Sequence, residues 1–254
     1  MKNQIYIAIS SLFITMGIIF GCTTMQQATP TIPVDVAKSS CAAYSWKNRG
    51  KPPIGYLKGM AAIYAHDVCL LKAGSKGPVD VMSQPVGNDS NDALAHFGIN
   101  GATPAERLRK TYTLLIGLGM RESSGQYGTG PDSTVPHPTP YSAETGLWQF
   151  SYDSIGASPE LKAVYNNYAA RPSDCLLSTF AEGAHGIREG YVGTGPGYDF
   201  QKFMRSCPAA QAEYSAVGIR VLRKHWGPLN RKEAEFIPAC ESMLADVEKA
   251  TVCP

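Results

Sequence analysis

Three carboxylates lie in one short stretch near the middle of the 254-residue chain, among glycines and small polar residues. Glu122 ends an apolar run, Asp132 closes the segment GTGPD, and Glu144 opens the segment ETGLWQF. A carboxyl group at the end of a buried helix loses part of its hydration, which raises its pKa and suits it to donate a proton near neutral pH. Glu122 is therefore a candidate general acid, with a solvated position or an ion pair to Arg121 as the alternatives. Asp132 and Glu144 are candidates for a second catalytic carboxylate, or else an ordinary turn aspartate and a solvated loop glutamate.

The helix that carries Glu122 has a strong start signal. Thr103 is a good N-cap residue, Pro104 suits the first helical position, and Glu106 completes a capping pattern. Apolar and small residues then recur at helical spacing, at Leu108, Tyr112, Leu115 and Gly119. These signals predict a helix that begins after Thr103 and runs to Glu122.

Other helices follow from the same kind of pattern. An apolar stripe at 3.6-residue spacing predicts a helix over residues 55–72, and Ser158 with Pro159 starts another. A third is predicted over residues 208–226, and Asn230 with Glu233 opens a last one. Long loops rich in glycine, proline and serine separate them, and only residues 126–141 are a candidate for a small β-hairpin. The expected fold is a single, mainly α domain over residues 41–254 with long irregular loops.

Two segments resemble the active-site region of goose-type lysozymes and soluble lytic transglycosylases. The run GLGMRESSGQY, residues 117–127, resembles the glutamate-serine segment that ends their catalytic helix, and SAETGLWQFSYDS, residues 142–154, resembles a segment that follows it. The resemblance implies a lysozyme-like α+β fold with little β structure. It assigns Glu122 as the acid, and places Ser123, Gly146, Leu147 and Gln149 in the matched motifs. Trp148 stands where methionine is commoner in those enzymes.

Enzymes of this superfamily cleave the β-1,4 bond between N-acetylmuramic acid and N-acetylglucosamine in peptidoglycan. The alanine-tyrosine-asparagine segment of lytic transglycosylases has no clear match, since the nearest sequence is TFAEG at residues 179–183. By this resemblance we expect a lytic transglycosylase or a muramidase. The alternatives are a peptidoglycan-binding lipoprotein without catalytic activity and a chitinase-like glycosidase.

The two enzymatic outcomes differ in their need for a second carboxylate. An inverting hydrolase needs one at about 6.5 to 9.5 Å from the acid and a retaining hydrolase at about 5 to 5.5 Å, whereas a lytic transglycosylase can use a single glutamate. Glu144 is favoured over Asp132 because the resemblance ties its segment to the active cleft. The candidates for binding sugar are polar and aromatic residues in or beside these loops, Ser123, Tyr127, Trp148, Gln149, Tyr152 and Tyr198.

The N-terminal sequence has the pattern of an export signal. A mostly apolar run over residues 5–20 is short for a membrane span and ends in Gly21 and Cys22, which resembles the lipobox of bacterial lipoproteins. Residues 1–21 are then a signal peptide, Cys22 is lipidated, and residues 22–40 are a flexible tether. A plain signal peptide is the alternative. Thr23 resembles the residue that sorts such lipoproteins to the outer membrane, where the domain would face the periplasm.

The amino-acid composition limits the classes of partner and cofactor that we expect. The balance of 23 basic against 21 acidic residues gives no broad positive field, so we expect no nucleic-acid partner. Besides Cys22, the exported part holds an even number of cysteines, which predicts disulfides with all pairings open: Cys41, Cys69, Cys175, Cys207, Cys240 and Cys253. The sequence has no C-x-x-C or H-E-x-x-H motif, and its five histidines show no ligand spacing. We therefore expect neither a metal nor another cofactor.

Overall fold

A computed structural model describes residues 34–87, 92–132, 135–187, 190–223 and 227–254. The signal peptide, Cys22 and the first part of the tether lie outside the described residues. The described part of the chain contains eleven α-helices: α1 (Ser40–Ala43), α2 (Ile54–Lys72), α3 (Pro78–Ser83), α4 (Ala93–His96), α5 (Pro104–Ser123), α6 (Pro159–Ala170), α7 (Leu177–Phe180), α8 (Pro196–Ser206), α9 (Pro208–Val221), α10 (Gly227–Asn230) and α11 (Pro238–Ala250). Short 3-10 helices span Val36–Lys38, Tyr152–Ala157 and Pro172–Cys175. The predicted mainly α fold is confirmed.

The capping signals at Thr103 and Ser158 placed the starts of α5 and α6 correctly. At the start of α5 the Thr103 hydroxyl accepts a hydrogen bond from the Glu106 backbone N–H at 3.1 Å, and the Glu106 carboxylate accepts one from Ala102 N–H at 2.8 Å. At the start of α6 the Ser158 hydroxyl accepts one from Leu161 N–H at 3.2 Å. Each bond satisfies a backbone donor that has no partner within its helix.

Two helix boundaries in the C-terminal region differ from the sequence prediction. The helix that starts at Pro208 ends at Val221, because Leu222 leaves the helical conformation with φ −103° and ψ 47°. The last helix begins at Pro238 and not at Asn230. Lys232 adopts a left-handed φ of 59° and Glu233 N–H donates to Pro228 O at 2.8 Å, so this segment forms a tight turn.

The β-hairpin predicted within residues 126–141 is wrong for the residues that the structure describes there. Their backbone groups bond locally, as in Thr129 N–H to Gln126 O at 3.3 Å and Val135 N–H to Asp132 O at 3.2 Å. The prolines of this segment also have no N–H to give to a ladder. The β structure of the described residues consists of two isolated bridges, Trp46 to Gly50 and Thr145 to Phe150.

The central helix is α5, which packs against α2, α3, α9 and α11. Most of its length is buried, including Tyr112 and Leu115 with no exposed surface. Gly119 allows one of the closest contacts, because a Cβ at this position would lie 2.3 Å from the Tyr56 hydroxyl oxygen and 3.1 Å from Trp148 Nε1. A glycine near the end of α5 therefore lets two aromatic side chains approach the helix backbone.

Three disulfides link distant parts of the domain. They join Cys41 to Cys240, Cys69 to Cys253 and Cys175 to Cys207, and the first two fasten α1 and the chain end to the body. Disulfides were expected, and the structure supplies their pairing.

The packed body starts earlier than the predicted boundary at residue 41. Val36 is buried and the Ser39 hydroxyl caps α1, so residues from Val36 onward belong to the packed body. In the described part of the chain no helix is both long enough and apolar enough to cross a bilayer.

Candidate active site

The end of α5 presents Glu122 at the domain surface. The helix stops just after it, because Ser124 turns to a left-handed φ of 56° and its N–H donates to Met120 O. Gly125 N–H then donates to Gly119 O at 3.1 Å. This closing turn satisfies the last helical carbonyls and leaves the Glu122 side chain half-buried in the final turn.

Two cavities meet at Glu122. The larger has a volume of about 890 Å³ and the smaller about 340 Å³, and Glu122 lines both. The larger is walled by Glu122, Asp132, Glu144, Trp148, Gln149, Phe150, Ser151, Asp153, Ser154, Gly156, Ala157, Leu222, Gly227, Pro228 and Arg231. The smaller is walled by Arg49, Glu122, Ser123, Ser124, Gln126, Thr129, His185 and Gly186. The three predicted acids thus line one cavity, and Glu122 also borders the second.

The surroundings of Glu122 favour its protonated form. Burial, and to a lesser extent the negative charge of Glu144, raise its pKa from 4.5 to about 7 against the opposing charge of Arg231. Arg49 and Arg121 oppose the rise more weakly. The position in the last turn acts in the same direction, since the carbonyl end of a helix disfavours a negative charge. A carboxyl group with this pKa carries a proton at neutral pH in about half of the molecules.

The proposed ion pair between Glu122 and Arg121 is not formed. Arg121 binds Glu233 at 3.1 Å, and Arg231 binds the same carboxylate at 2.9 and 3.1 Å. Within the described ranges Glu122 has neither a hydrogen-bond nor an ion-pair partner. Because both arginines pair with Glu233, neither forms an ion pair that would hold Glu122 in its charged form.

The second acids lie on the outer side of the cleft. Glu144 is exposed overall, yet partial burial of its carboxyl group and the charge of Asp132 raise its pKa. Asp132 is exposed and takes part in interactions of its own. Asp153 is a fourth carboxylate in the wall of the larger cavity, which the sequence analysis missed.

The GLWQF segment is attached directly to the acid-bearing helix. Trp148 is buried, and its indole N–H donates to Leu115 O of α5 at 2.9 Å. Gly146 takes a left-handed φ of 80°, and a Cβ there would lie 2.3 Å from the Gln211 amide oxygen. Gln149 also has a left-handed φ, 51°, which is strained for a residue with a side chain. Gln149 lies in the cleft wall and donates to Gly146 O at 2.9 Å.

The candidate sugar-binding residues divide into two groups. Ser123, Trp148 and Gln149 line the cavities, although the Ser123 hydroxyl donates to Gly119 O and the Trp148 ring is only 1% exposed. Their roles are therefore mainly to shape the cleft. The other three line neither cavity. Tyr127 is buried, Tyr152 packs between Tyr141 and Phe200, and Tyr198 packs against Tyr191.

Several residues of the site had no sequence signal. Arg49 reaches the smaller cavity from the loop before α2, His185 from the loop after α7, and Arg231 reaches the larger one from the turn after α10. Each is distant from Glu122 in the chain. Their positions follow from tertiary packing. One such packing contact brings the Glu235 carbonyl oxygen against α5, and only a glycine at position 117 leaves room for it.

Together, the fold and the site define a mainly α, disulfide-linked domain in which a helix-terminal glutamate borders two cavities, the larger one lined by further carboxylates. Compared with protein-family models, with curated proteins and with solved structures, the chain gives no match.

Glu122→Gln is expected to stabilise the fold near pH 8 and to leave it unchanged near pH 4. A carboxyl group whose pKa rises on folding contributes stability below its unfolded pKa, and this contribution is lost as the pH rises through the folded value of about 7. Glutamine stays neutral, so the variant should gain about 2 kcal/mol near pH 8, reduced from the full shift because the cleft is open to water. Urea unfolding at both pH values, with disulfides intact, measures the difference.

Glu182→Gln is the matched control, because the Glu182 carboxylate is exposed and pairs with Lys58 outside both cavities. Equal effects of Glu122→Gln at the two pH values would contradict the raised pKa.

Proposed function

We propose that the chain is a lysozyme-like enzyme that cleaves the glycan strands of peptidoglycan, with Glu122 as general acid. The observation that carries this proposal is a partner-free carboxyl group with a pKa of about 7 that borders two cavities. A polysaccharide cut within its chain must occupy space on both sides of the bond that breaks. The two cavities that border Glu122 offer space for sugar units next to the acid.

The chemistry follows from the placement of the acids. Glu122 protonates the glycosidic oxygen, which lets the leaving sugar depart and develops positive charge on the remaining ring. In this proposal the other carboxylates of the larger cavity stabilise that charge. In a muramidase, Glu144 activates the water that attacks the ring. In a lytic transglycosylase, Glu122 itself takes the proton of the muramic acid 6-hydroxyl, which closes a 1,6-anhydro ring.

The proposed location is the bacterial cell envelope. The apolar N-terminal run, the lipobox-like Gly21-Cys22 and the three disulfides support an exported lipoprotein, since disulfides persist in oxidising compartments. We place it at the outer membrane, facing the periplasm and the peptidoglycan. The mechanism uses side chains alone, with no cofactor, and no nucleic acid is proposed as a partner.

Incubation of the protein with purified sacculi tests this function. We expect soluble muropeptides to appear, and their mass identifies the acceptor, because anhydro and reducing ends differ by one water. Chitin oligomers serve as the parallel substrate, and faster cleavage of these would favour a chitinase-like glycosidase. Saturable binding to sacculi without any released fragment would contradict catalysis and favour a binding lipoprotein.

A further inference from the structure

A second cluster of ionisable side chains lies in a cavity that shares no residue with the Glu122 cleft. His66 and Asp67 come from α2 and Glu213 comes from α9. His66 Nδ1 lies 3.3 Å from Asp67 Oδ1 and 3.6 Å from Glu213 Oε1, and the three atoms all fall within 4.8 Å of one another. The cluster thus presents one nitrogen and two oxygens toward a common point.

The charges of this cluster are poorly balanced without a further cation. Asp67 is fully buried and Glu213 is 7% exposed. Among the described residues no salt bridge joins either carboxylate to a lysine or an arginine, and His66 lies within 4 Å of both. Two buried carboxylates beside one imidazole leave an excess of negative charge that a divalent cation would neutralise.

Two tyrosines hold the carboxylates from outside. The Tyr112 hydroxyl of α5 donates to Asp67 Oδ2, and the Tyr168 hydroxyl of α6 donates to Glu213 Oε1 at 2.6 Å. Asp67 therefore keeps its other oxygen directed toward His66. Hydrogen-bond donors that do not touch the ion commonly orient the ligand side chains in metal sites of proteins.

The distances suit a small tetrahedral ion. Ligand bonds of about 2.0 to 2.1 Å to Zn²⁺ place neighbouring ligand atoms about 3.3 to 3.4 Å apart. The two distances from His66 Nδ1, 3.3 and 3.6 Å, lie close to this edge length. A cavity of about 290 Å³ borders all three residues, so a fourth position is open to water or to a ligand.

We propose that His66, Asp67 and Glu213 form a divalent metal site suited to Zn²⁺, with a water in the open position. An imidazole and two carboxylates are ordinary ligands for this ion. The site would join α2 to α9 directly. It revises the sequence expectation, which found no ligand spacing because Glu213 is remote from the other two ligands in the chain.

Titration of the metal-stripped full chain with Zn²⁺, followed by calorimetry and thermal unfolding, tests the proposal. We expect one Zn²⁺ per chain and a higher unfolding temperature, since the ion binds the folded state. Asp67→Asn and Glu213→Gln should each weaken binding at least about 100-fold. Asp174→Asn is the control, because Asp174 lines the same cavity outside the cluster and should bind Zn²⁺ as the wild type does.

X-ray absorption at the zinc edge of the wild-type protein provides a readout that does not depend on the folding of variants. It should show one imidazole nitrogen, oxygen ligands and no sulfur. Absence of stoichiometric uptake, or full affinity in both cluster variants, would overturn the site and leave a hydrogen-bonded cluster only. The result is independent of the sacculus assay, because the Glu122 cleft takes no part in this measurement.

Discussion

Replacing Glu122 with glutamine is expected to lower the rate of muropeptide release about 10²- to 10⁴-fold. Glutamine has nearly the same shape but has no acidic proton to give to the leaving oxygen, and this range is typical for the loss of a general acid. Because Glu122 has no hydrogen-bond or ion-pair partner among the described residues, the substitution removes no contact that holds the fold. Release from purified sacculi, measured under initial-rate conditions, gives the ratio.

The control for this loss is Glu182→Gln, the same chemical change at an exposed carboxylate that lines neither cavity. It should keep the full rate. The Glu122 variant should still bind sacculi, since its cleft is intact. A normal rate of muropeptide release in this variant would reject the proposed mechanism.

Glu144→Gln distinguishes between the two possible acceptors, water and the muramic acid 6-hydroxyl. A loss as large as that of Glu122→Gln supports attack by water, and a small loss supports attack by the 6-hydroxyl.

Much of the frame around the acid is predictable from local sequence. Thr103 and Glu106 form their capping bonds within a few residues of each other, so their effect on α5 does not depend on the rest of the fold. The apolar spacing then carries the helix to Glu122. Glu144 reaches the same cleft because Gly146 N–H donates to Thr129 O at 2.8 Å, a contact between neighbouring segments.

The remaining features depend on contacts between distant parts of the chain. The sequence made Arg121 a possible partner for Glu122, but Arg121 forms its ion pair with Glu233. No periodic pattern in the sequence places Glu233 beside α5. Spacing also could not choose among the cysteine pairings, because the partners of Cys41 and Cys69 lie near the other end of the chain. The sequence also could not show which of the tyrosines predicted to bind sugar border a cavity. Sequence identifies a tyrosine near a loop, but the packing of that loop decides whether the ring faces a cavity or another ring.

Trp148→Ala is expected to destabilise the protein by about 3 to 5 kcal/mol. The Trp148 ring is 1% exposed, so its removal leaves a large cavity beside Gly119 and Tyr56 in addition to the lost burial. Its indole N–H also fastens the GLWQF segment to Leu115 O of α5. Trp148→Phe keeps an aromatic ring but loses this bond, and it should cost about 1 to 2 kcal/mol. Urea unfolding with the disulfides intact measures both values.

Trp46 offers a matched control for the hydrogen bond. It is buried to a similar degree, at 2% exposed, but its indole N–H has no hydrogen-bond partner among the described residues. Trp46→Phe removes an unsatisfied buried donor, so it should cost less than Trp148→Phe, although the two changes remove the same atoms. An equal or larger cost at Trp46 would mean that ring packing, and not the bond to Leu115, holds the GLWQF segment against α5. The orientation of the cleft wall beside Glu122 would then depend on shape alone.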